Sequence, residues 1–238
     1  MTKRAVVLHS GGMDSSTLIY WAMQEGFEVF ALSVFYGQRH RRELSSACEV
    51  AYKAGVNYKQ INLSSLSYFL AGSALTSTDV PVPEGLYDEE SMKATVVPNR
   101  NMILFSIAGG YADSIDATTI MGAQHAGDHA VYPDCRPDFM YATRYALSLA
   151  TEGRVFLDAP FVHFDKSRIA GIARSLEVPL ELTWSCYKGG DVHCGRCGTC
   201  TERIEAIWNA GFRDPTEYEP GTYAATLKLL REAGKLRR

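Results

Sequence analysis

The feature that most constrains the fold is an alternation of short apolar segments and helical patterns that begins at residue 5. Residues 5–9, 27–37 and 57–63 have the length and flanking turn residues of strands. The segments between them, 15–26 and 39–55, carry apolar residues at helical spacing and end at a glycine. Strands that alternate with helices form parallel sheets with right-handed crossovers and helices on both faces. We therefore predict an α/β fold with a parallel sheet of five or six strands and helices on both faces.

The same alternation resumes in the second half of the chain after an irregular stretch. Residues 64–97 show no clear period, and their proline, glycine and acidic residues predict a surface loop that can act as a lid. Beyond this loop the patterns predict helices at 100–115, 138–150 and 165–178, with strands at 117–124 and 154–161.

Four of the six cysteines are crowded into one segment with the spacing C-x7-C-x2-C-x2-C, at Cys186, Cys194, Cys197 and Cys200. Four thiolates satisfy a tetrahedral Zn²⁺ and leave no open coordination position, which predicts a structural ion and not a catalytic one. Binding of zinc adds about 10–16 kcal/mol to the folding of such a segment. Free or redox-active thiols are the alternative interpretation.

The loop after the first predicted strand, SGGMDSS at residues 10–16, has the composition of a phosphate-binding turn. Adjacent glycines let successive backbone N–H groups point into one concavity, and the following helix adds unpaired N–H groups and its positive dipole end. The two common phosphate patterns, G-x-x-x-x-G-K-[ST] and G-x-G-x-x-G, do not occur in this loop. A carboxylate beside phosphate is unusual, so we interpret Asp14 as a Mg²⁺ ligand or as a helix cap.

The pattern S-G-G-x-D-S after an N-terminal strand resembles the loop of the ATP pyrophosphatase (PP-loop) family. The resemblance implies that this loop holds the β,γ-pyrophosphate of ATP and that AMP is transferred to an oxygen of the substrate. A nitrogen or sulfur nucleophile then displaces AMP. The residues expected to bind ATP are Leu8, His9, Ser10, Gly11, Gly12, Met13, Asp14, Ser15, Ser16, Thr17 and Leu18.

Five further motifs are similar to those of a narrower family: YGQRH at 36–40, VPNRN at 97–101, YPDCRPDF at 132–139, DKSRI at 165–169 and TWSCY at 183–187. Together they resemble the 7-cyano-7-deazaguanine synthase (preQ0 synthase, QueC) family over residues 4–210. The resemblance implies an adenine nucleotide alpha-hydrolase-like, Rossmann-like fold and a carbon–nitrogen ligase. Such an enzyme converts 7-carboxy-7-deazaguanine, ammonia and ATP into the nitrile, a precursor of queuosine or archaeosine. Two activations that release AMP and pyrophosphate are expected, and a route through ADP is left open.

The resemblance also implies roles for residues outside the loop. Lys166 is expected to stabilise the departing pyrophosphate, and with Asp14 and Arg100 it forms the expected catalytic set. Arg100 is expected to reach the substrate carboxylate or a phosphate. The expected substrate-binding residues are Asp128, Asp134 and Arg136: Asp134 as an acceptor for guanine-like N–H groups, and Arg136 as an anion partner or an ion pair to Asp134. The expected cofactors are structural Zn²⁺, Mg²⁺ and ATP.

The motifs divide the chain into three parts. Residues 1–180 are expected to form the PP-loop ATP pyrophosphatase domain, and residues 181–212 a small zinc-binding segment with a helix. Residues 213–238 are expected to form a helical tail. Leu227 and Leu230 of this tail suggest packing either on the domain or across a dimer.

Charge and hydropathy limit the expected partners. A formal net charge of −3 gives no global attraction for nucleic acid, although residues 39–42 form a local basic cluster. We find neither a secretory signal nor the run of about 18 apolar residues that spans a bilayer. We expect a cytoplasmic enzyme that acts on 7-carboxy-7-deazaguanine, ATP and ammonia without nucleic acid or membrane, and a homodimer is left open. The alternatives are a PP-loop enzyme that activates a tRNA base, as a thiolase or lysidine-type ligase, and a non-catalytic zinc-dependent binding module.

Overall fold

A parallel sheet of five strands lies at the centre of the computed structural model, which describes residues 3–70 and 72–237. The strands are β1 (Lys3–Leu8), β2 (Phe27–Phe35), β3 (Asn57–Asn62), β4 (Thr119–Met121) and β5 (Phe156–Asp158). Their order across the sheet is β3-β2-β1-β4-β5, and every neighbouring pair is parallel. The predicted α/β class and the predicted parallel sheet are confirmed.

Helices cover both faces of the sheet. They are α1 (Met13–Gln24), α2 (Arg42–Ala54), α3 (Glu89–Met92), α4 (Arg100–Ser114), α5 (Pro137–Ala150), α6 (Lys166–Ser175), α7 (Gly198–Asn209) and α8 (Thr222–Glu232). Successive side chains of a strand point to opposite faces, and β1 follows this rule. Ala5 and Val7 pack in the same core cluster as Leu18 of α1, whereas Val6 packs in the cluster that contains Phe105 of α4.

The strand order creates a crevice at the carboxyl ends of β1 and β4. The chain leaves β1 toward β2 and β3 on one side and returns on the other side to form β4 and β5. Ligands of open α/β sheets bind at such a switch point, outside the carboxyl ends of the strands. The PP-loop, residues 10–12 with the start of α1, lies at this position because it follows β1 directly.

Two predictions from the sequence need correction, one for the last two strands and one for the stretch 64–97. The predicted strands at 117–124 and 154–161 are shorter in the structure, because β4 and β5 each contain three residues. A side chain at Gly122, directly after β4, would meet the ring of Phe105 at 2.8 Å and also the side-chain oxygen of Gln124, so a residue without one is required there. The stretch 64–97 is also more than a surface loop: Leu70 and Met92 are buried in small apolar clusters of their own.

The cysteine segment and the tail pack together on the same chain. Helix α7 starts at Gly198, within the cysteine segment, and α8 lies against α7. Leu230 of α8 is completely buried, and the Thr226 hydroxyl donates to the Gly195 carbonyl at 2.6 Å. These contacts correspond to packing on the domain, one of the two arrangements that the sequence suggested for the tail. Among the described residues no helix combines the length and hydropathy needed to cross a membrane.

Candidate active site

A cavity of about 250 Å³ opens at the carboxyl ends of β1, β2 and β4. Residues of all three connections contribute to its wall, as expected for a switch-point crevice. The predicted site residues that line it are Leu8, His9, Ser10, Gly12, Met13, Asp14, Ser15, Arg100, Asp128 and Lys166. Most of the predicted site therefore converges on one cavity, although its members are up to 158 positions apart in the sequence.

The PP-loop is held in shape by its own hydroxyl groups. The Ser15 hydroxyl accepts the backbone N–H of Ser10 at 3.2 Å, and the Ser10 hydroxyl accepts the N–H of Gly12 at 3.2 Å. The Gly11 carbonyl accepts the backbone N–H of Trp184 at 2.8 Å, which ties the loop to the beginning of the cysteine segment. The loop is thus pre-formed, as an anion site at a helix N-terminus requires.

Gly11 is required by both conformation and space. Its φ of +86° lies in the left-handed region, and a Cβ there would meet the Glu43 carbonyl oxygen of α2 at 2.2 Å. Gly11→Ala is therefore expected to displace α2 or the loop and to raise the KM for ATP, the ligand that the sequence resemblance implies for this loop, about tenfold or more. ATP binding and thermal unfolding of the purified variant measure the effect.

Gly26→Ala is the control for this prediction. Gly26 has a similar φ of +83°, but no heavy atom lies within 4 Å of its added Cβ. The control should lower stability through backbone strain by about 1–2 kcal/mol and leave ATP binding unchanged. An unchanged KM for ATP in Gly11→Ala would contradict the close approach of the loop to α2.

His9 braces the loop instead of presenting a charge to the ligand. Burial lowers its pKa to about 4, so the ring is neutral at physiological pH. Nε2 lies 3.2 Å from the Ala47 carbonyl, which can only accept, so Nε2 carries the proton and Nδ1 accepts from the Ser15 hydroxyl at 3.2 Å. The ring thereby connects the PP-loop to α2.

Three residues of the predicted ATP-binding set face the protein interior. Leu18 is buried in the core between α1 and the sheet, and Ser16 is completely buried. The Thr17 hydroxyl donates to the carbonyl of Met13 at 2.8 Å, within the helix. Their positions follow from the helical period, because α1 turns only its first residues toward the cavity.

The side chains of Lys166 and Asp14 are in contact beside the PP-loop, one from α6 and the other from α1. Lys166 is the first residue of α6, and its Nζ lies 3.3 Å from Oδ2 of Asp14. The other oxygen of Asp14, Oδ1, is buried and accepts no hydrogen bond from the residues that the structure describes. Burial alone would raise the pKa of Asp14, but Lys166 and His125 outweigh it and the pKa is lowered. Asp14 is therefore an ionised group with free acceptor capacity, and the helix-cap interpretation has no hydrogen bond to support it.

Two residues that the sequence did not single out complete this polar cluster. Glu202 of α7 accepts from Lys166 Nζ at 2.7 Å, and His125 Nε2 lies 3.4 Å from Oδ2 of Asp128. One ligand atom each from His125, Asp128 and Glu202 lie within 4.8 Å of one another. Nothing in the local sequence marked Glu202, whereas HAGD at 125–128 lies directly after a predicted strand and offered a positional signal.

The other end of the cavity is built around Arg100. It is the first residue of α4, and its guanidinium lies 3.4 Å from the hydroxyl of Tyr36, in the connection after β2. Glu43 of α2 lines the same end. Burial raises the pKa of the Glu43 carboxyl to about 7, although the charge of Arg100 opposes the shift.

The raised pKa of Glu43 predicts a pH-dependent stability. The Glu43 carboxyl has a pKa of about 7 in the folded state and 4.5 as a free group, so the folded protein keeps this proton to a higher pH than the unfolded chain does. The free energy of unfolding therefore falls as the pH rises from about 4.5 to about 7. Glu43→Gln removes this cost and should stabilise the protein by on the order of 1–3 kcal/mol at about pH 8, with no gain below about pH 4.5.

Denaturant unfolding of both proteins at the two pH values measures the difference. Glu49→Gln, at an exposed position on the same helix, is the control. An equal effect of Glu43→Gln at both pH values would show that its origin is not the ionisation of Glu43.

Asp134 and Arg136 do not line this cavity. The Asp134 carboxylate accepts the backbone N–H of Asn101 at 2.9 Å, and Asn101 Nδ2 donates back to the Asp134 carbonyl at 3.0 Å. Arg136 is exposed and donates through Nε to the His129 carbonyl at 2.8 Å. Asp134 thus holds the start of α4, beside Arg100, and the direct substrate contacts expected of Asp134 and Arg136 stay predictions.

The four cysteines of the predicted metal site lie together in the interior. Their sulfur atoms lie within 4.8 Å of one another, and the residues are at most 2% exposed. The backbone N–H of Cys197 points to Cys194 Sγ at 3.3 Å, and that of Cys194 points to Cys186 Sγ at 3.5 Å. Four thiolates around Zn²⁺ at about 2.3 Å have sulfur separations of about 3.8 Å, so the donor set fits a tetrahedral ion.

A model of the family described as queuosine biosynthesis protein QueC matches residues 4–211. The chain is 51% identical to the 7-cyano-7-deazaguanine synthase of Caldicellulosiruptor bescii, over 91% of this chain and 97% of that protein. It is 48% identical to the enzyme of the same name from Marinobacter nauticus, over 92% and 99%, and to that from Methanoregula boonei, over 91% and 100%.

Solved structures resemble the chain in fold. A 4-thiouridine synthetase in complex with RNA and bound ATP has a TM-score of 0.52 at 15% identity, over 98% of this chain and 51% of that one. The NMN synthetase of Francisella tularensis has a TM-score of 0.50 at 15% identity, over 100% and 87%. At 15% identity these structures are similar to the chain in fold only. The comparison of activity rests on the relatives that are 48–51% identical.

Proposed function

Because this chain belongs to the queuosine biosynthesis protein QueC family, we propose an assignment of its cavity to the steps of 7-cyano-7-deazaguanine synthesis. The enzyme is an ATP-dependent carbon–nitrogen ligase that forms the nitrile 7-cyano-7-deazaguanine (preQ0). Its substrates are 7-carboxy-7-deazaguanine, ammonia and ATP.

The proposed route activates the same carbon twice. A carboxylate oxygen attacks the α-phosphorus of ATP and pyrophosphate leaves, which gives the acyl adenylate. Ammonia adds to the acyl carbon, AMP leaves and a proton is lost, so the product is the amide. The amide oxygen then attacks the α-phosphorus of a second ATP and pyrophosphate leaves. Loss of AMP and of protons from this adenylate leaves the C≡N bond. Both activations need one kind of stabilisation, at the pyrophosphate leaving group.

The PP-loop end of the cavity suits the pyrophosphate. The hydroxyl of Ser10 and the N-terminus of α1 supply donors around an anion, whereas the Ser15 hydroxyl is engaged with His9. Burial alone would lower the pKa of Lys166, but the carboxylates of Asp14 and Glu202 outweigh burial and raise it. This side chain therefore stays a cation throughout the proposed reaction. We assign Lys166 to the negative charge that develops on the leaving pyrophosphate.

Two metal ions fit the donor sets of the chain. The free Oδ1 of Asp14 would hold Mg²⁺, a hard cation that prefers oxygen ligands and neutralises phosphate charge. The four thiolates of the cysteine segment would hold Zn²⁺ as a structural ion, because they complete a tetrahedron. The cysteine segment also supports the loop directly, because the backbone N–H of Trp184 donates to the carbonyl of Gly11.

The Arg100 end of the cavity suits the substrate. Arg100 is partly buried beside Tyr36 and supplies a cation for the substrate carboxylate or the α-phosphate. We assign Asp128 to the N–H groups of the guanine-like edge, since it lines the cavity and is partly buried. Tyr87 donates to Oδ1 of Asp128 at 3.2 Å and fixes its orientation. We propose that Asp134 acts by holding the start of α4.

The observation that carries these assignments is the contact between Lys166 and Asp14 at the mouth of the PP-loop. The test is mass spectrometry of the products after the protein is mixed with ATP, Mg²⁺, an ammonium salt and 7-carboxy-7-deazaguanine. We expect a product lighter than the acid by the difference between a carboxylic acid and a nitrile. AMP is expected as the nucleotide product; ADP would overturn the adenylation route, and absence of the nitrile would overturn the function.

Three properties of this enzyme stay predictions: a cytoplasmic location, the absence of a nucleic-acid partner and the division into three parts at residues 180 and 212. A homodimer is left open. Binding of tRNA with a steep dependence on salt concentration would favour an enzyme that acts on a tRNA base. Light scattering measures the oligomeric state.

A further inference from the structure

Glu202 makes a short contact with the cationic group at the PP-loop. Its Oε2 lies 2.7 Å from Lys166 Nζ, whereas Oδ2 of Asp14 lies at 3.3 Å. The side chains of Glu202 and Lys166 are only 12% and 16% exposed. A lysine side chain has four flexible carbon–carbon bonds, and a buried carboxylate at hydrogen-bond distance restricts them to one arrangement.

The helix that carries Glu202 is fixed at both sides of this residue. Two positions earlier, Cys200 belongs to the four-cysteine cluster. One position later, Arg203 forms a completely buried ion pair with Asp214 at 2.8 Å and donates to the Thr183 hydroxyl at 2.7 Å. Glu202 therefore has little freedom to follow Lys166, and Lys166 must adapt to Glu202.

The helix that carries Lys166 packs directly on this fixed helix. Ala170 and Ala173 of α6 are buried in one cluster with Ala206 and Ile207 of α7. Small side chains at this contact let the two backbones approach closely, so the distance between Lys166 and α7 is set by packing.

We propose that Glu202 is the positioning residue for Lys166, and that through it the cysteine cluster fixes where the leaving-group cation stands. The inference rests on the proposed function of Lys166. Glu202 itself touches Lys166 and not the reacting atoms. The cysteine segment then serves the reaction as a rigid support for one side chain, in addition to its role in folding.

The first test is a double-mutant cycle. Glu202→Gln keeps the size of the side chain and removes its charge, and it should lower kcat about 10–100-fold with a smaller change in the KM for ATP. Because Glu202 acts through Lys166, the same change should have no further effect in a Lys166→Ala background. Glu202→Asp should recover part of the loss. Glu205→Gln, one turn further along α7, is the control and should retain wild-type kcat.

The second test measures the position of Lys166 without catalysis. Acetic anhydride labels exposed amines, and peptide mass spectrometry reports the rate at each lysine. Labelling of Lys166 should accelerate several-fold in Glu202→Gln and in wild-type protein stripped of its metal by a chelator. It should remain at the wild-type rate in Glu205→Gln.

Several results would overturn the proposal. They are an unchanged kcat in Glu202→Gln, an equal loss in the Lys166→Ala background, or a loss that comes with lower metal content and lower thermal stability. Unchanged labelling of Lys166 after metal removal would refute the support by the cysteine cluster. Failure of the proposed function is distinguishable, because the wild-type enzyme would then form no nitrile or Lys166→Ala would keep its full rate.

Discussion

Replacement of Lys166 by alanine is expected to lower kcat for nitrile formation by about 10²–10³-fold, the effect of removing one donor that stabilises charge in the transition state. The bond from the α-phosphorus to the leaving pyrophosphate breaks while negative charge accumulates, and Lys166 is the buried cation beside the PP-loop. The hydroxyls and the helix N-terminus of the loop remain, so kcat/KM for ATP should fall by the same factor as kcat. Steady-state kinetics of AMP release measures both.

Two further variants make this result interpretable. Lys166→Met retains most of the buried volume, so a similar loss of kcat assigns the effect to the charge. Lys93→Ala removes an exposed lysine whose partner is Glu90 and should leave kcat unchanged. A kcat of Lys166→Ala within about threefold of wild type would refute the role of this residue, since that factor is below 1 kcal/mol.

Replacement of Cys197 by serine is expected to have the largest effect on stability. Cys197 is completely buried, its sulfur lies among the other three, and it precedes the first residue of α7. Loss of one thiolate ligand removes much of a binding energy of about 10–16 kcal/mol, so the free energy of unfolding should fall by more than about 3 kcal/mol. The PP-loop should loosen as well, because Trp184 of this segment donates to Gly11.

Metal analysis and denaturant unfolding measure this prediction. Wild-type protein should contain one zinc per chain, and Cys197→Ser substantially less. Cys48→Ser is the matched control, because Cys48 is an exposed free thiol on α2 and its replacement should change neither quantity. A Cys197→Ser protein with full metal content and wild-type stability would refute the four-thiolate site.

The sequence predicted the layered fold well because the fold depends on local patterns. Strands β1 and β2 are largely apolar, and the helices α1 and α2 that follow them carry apolar residues that pack on the sheet. The rule that parallel strands are joined by right-handed crossovers supplied the rest. Strands β4 and β5 were predicted too long, since the strand-like pattern continues past the three residues of each that form the strand.

The stretch 64–97 shows the limit of composition as a guide. Its prolines, glycines and acidic residues predicted a surface loop, yet Leu70, Met92 and Val97 are buried. These residues pack against parts of the chain that are distant in sequence, such as Tyr36 and Tyr132. A periodic pattern does not predict such contacts, because the helices of this segment, such as the four residues of α3, are too short to show a period.

The sequence by itself determined which chemical groups the protein has. These are the PP-loop after β1, the four cysteines at metal-ligand spacing, and Lys166 and Arg100 within motifs that occur together in one family. Only the tertiary structure decided which side chains meet. It turned Ser16 and Thr17 inward, engaged Asp134 with Asn101 and set Glu202 against Lys166 across 36 positions. Such contacts depend on how α6 packs on α7, and packing is specified by the shapes of both helices together, whereas a motif describes one segment at a time.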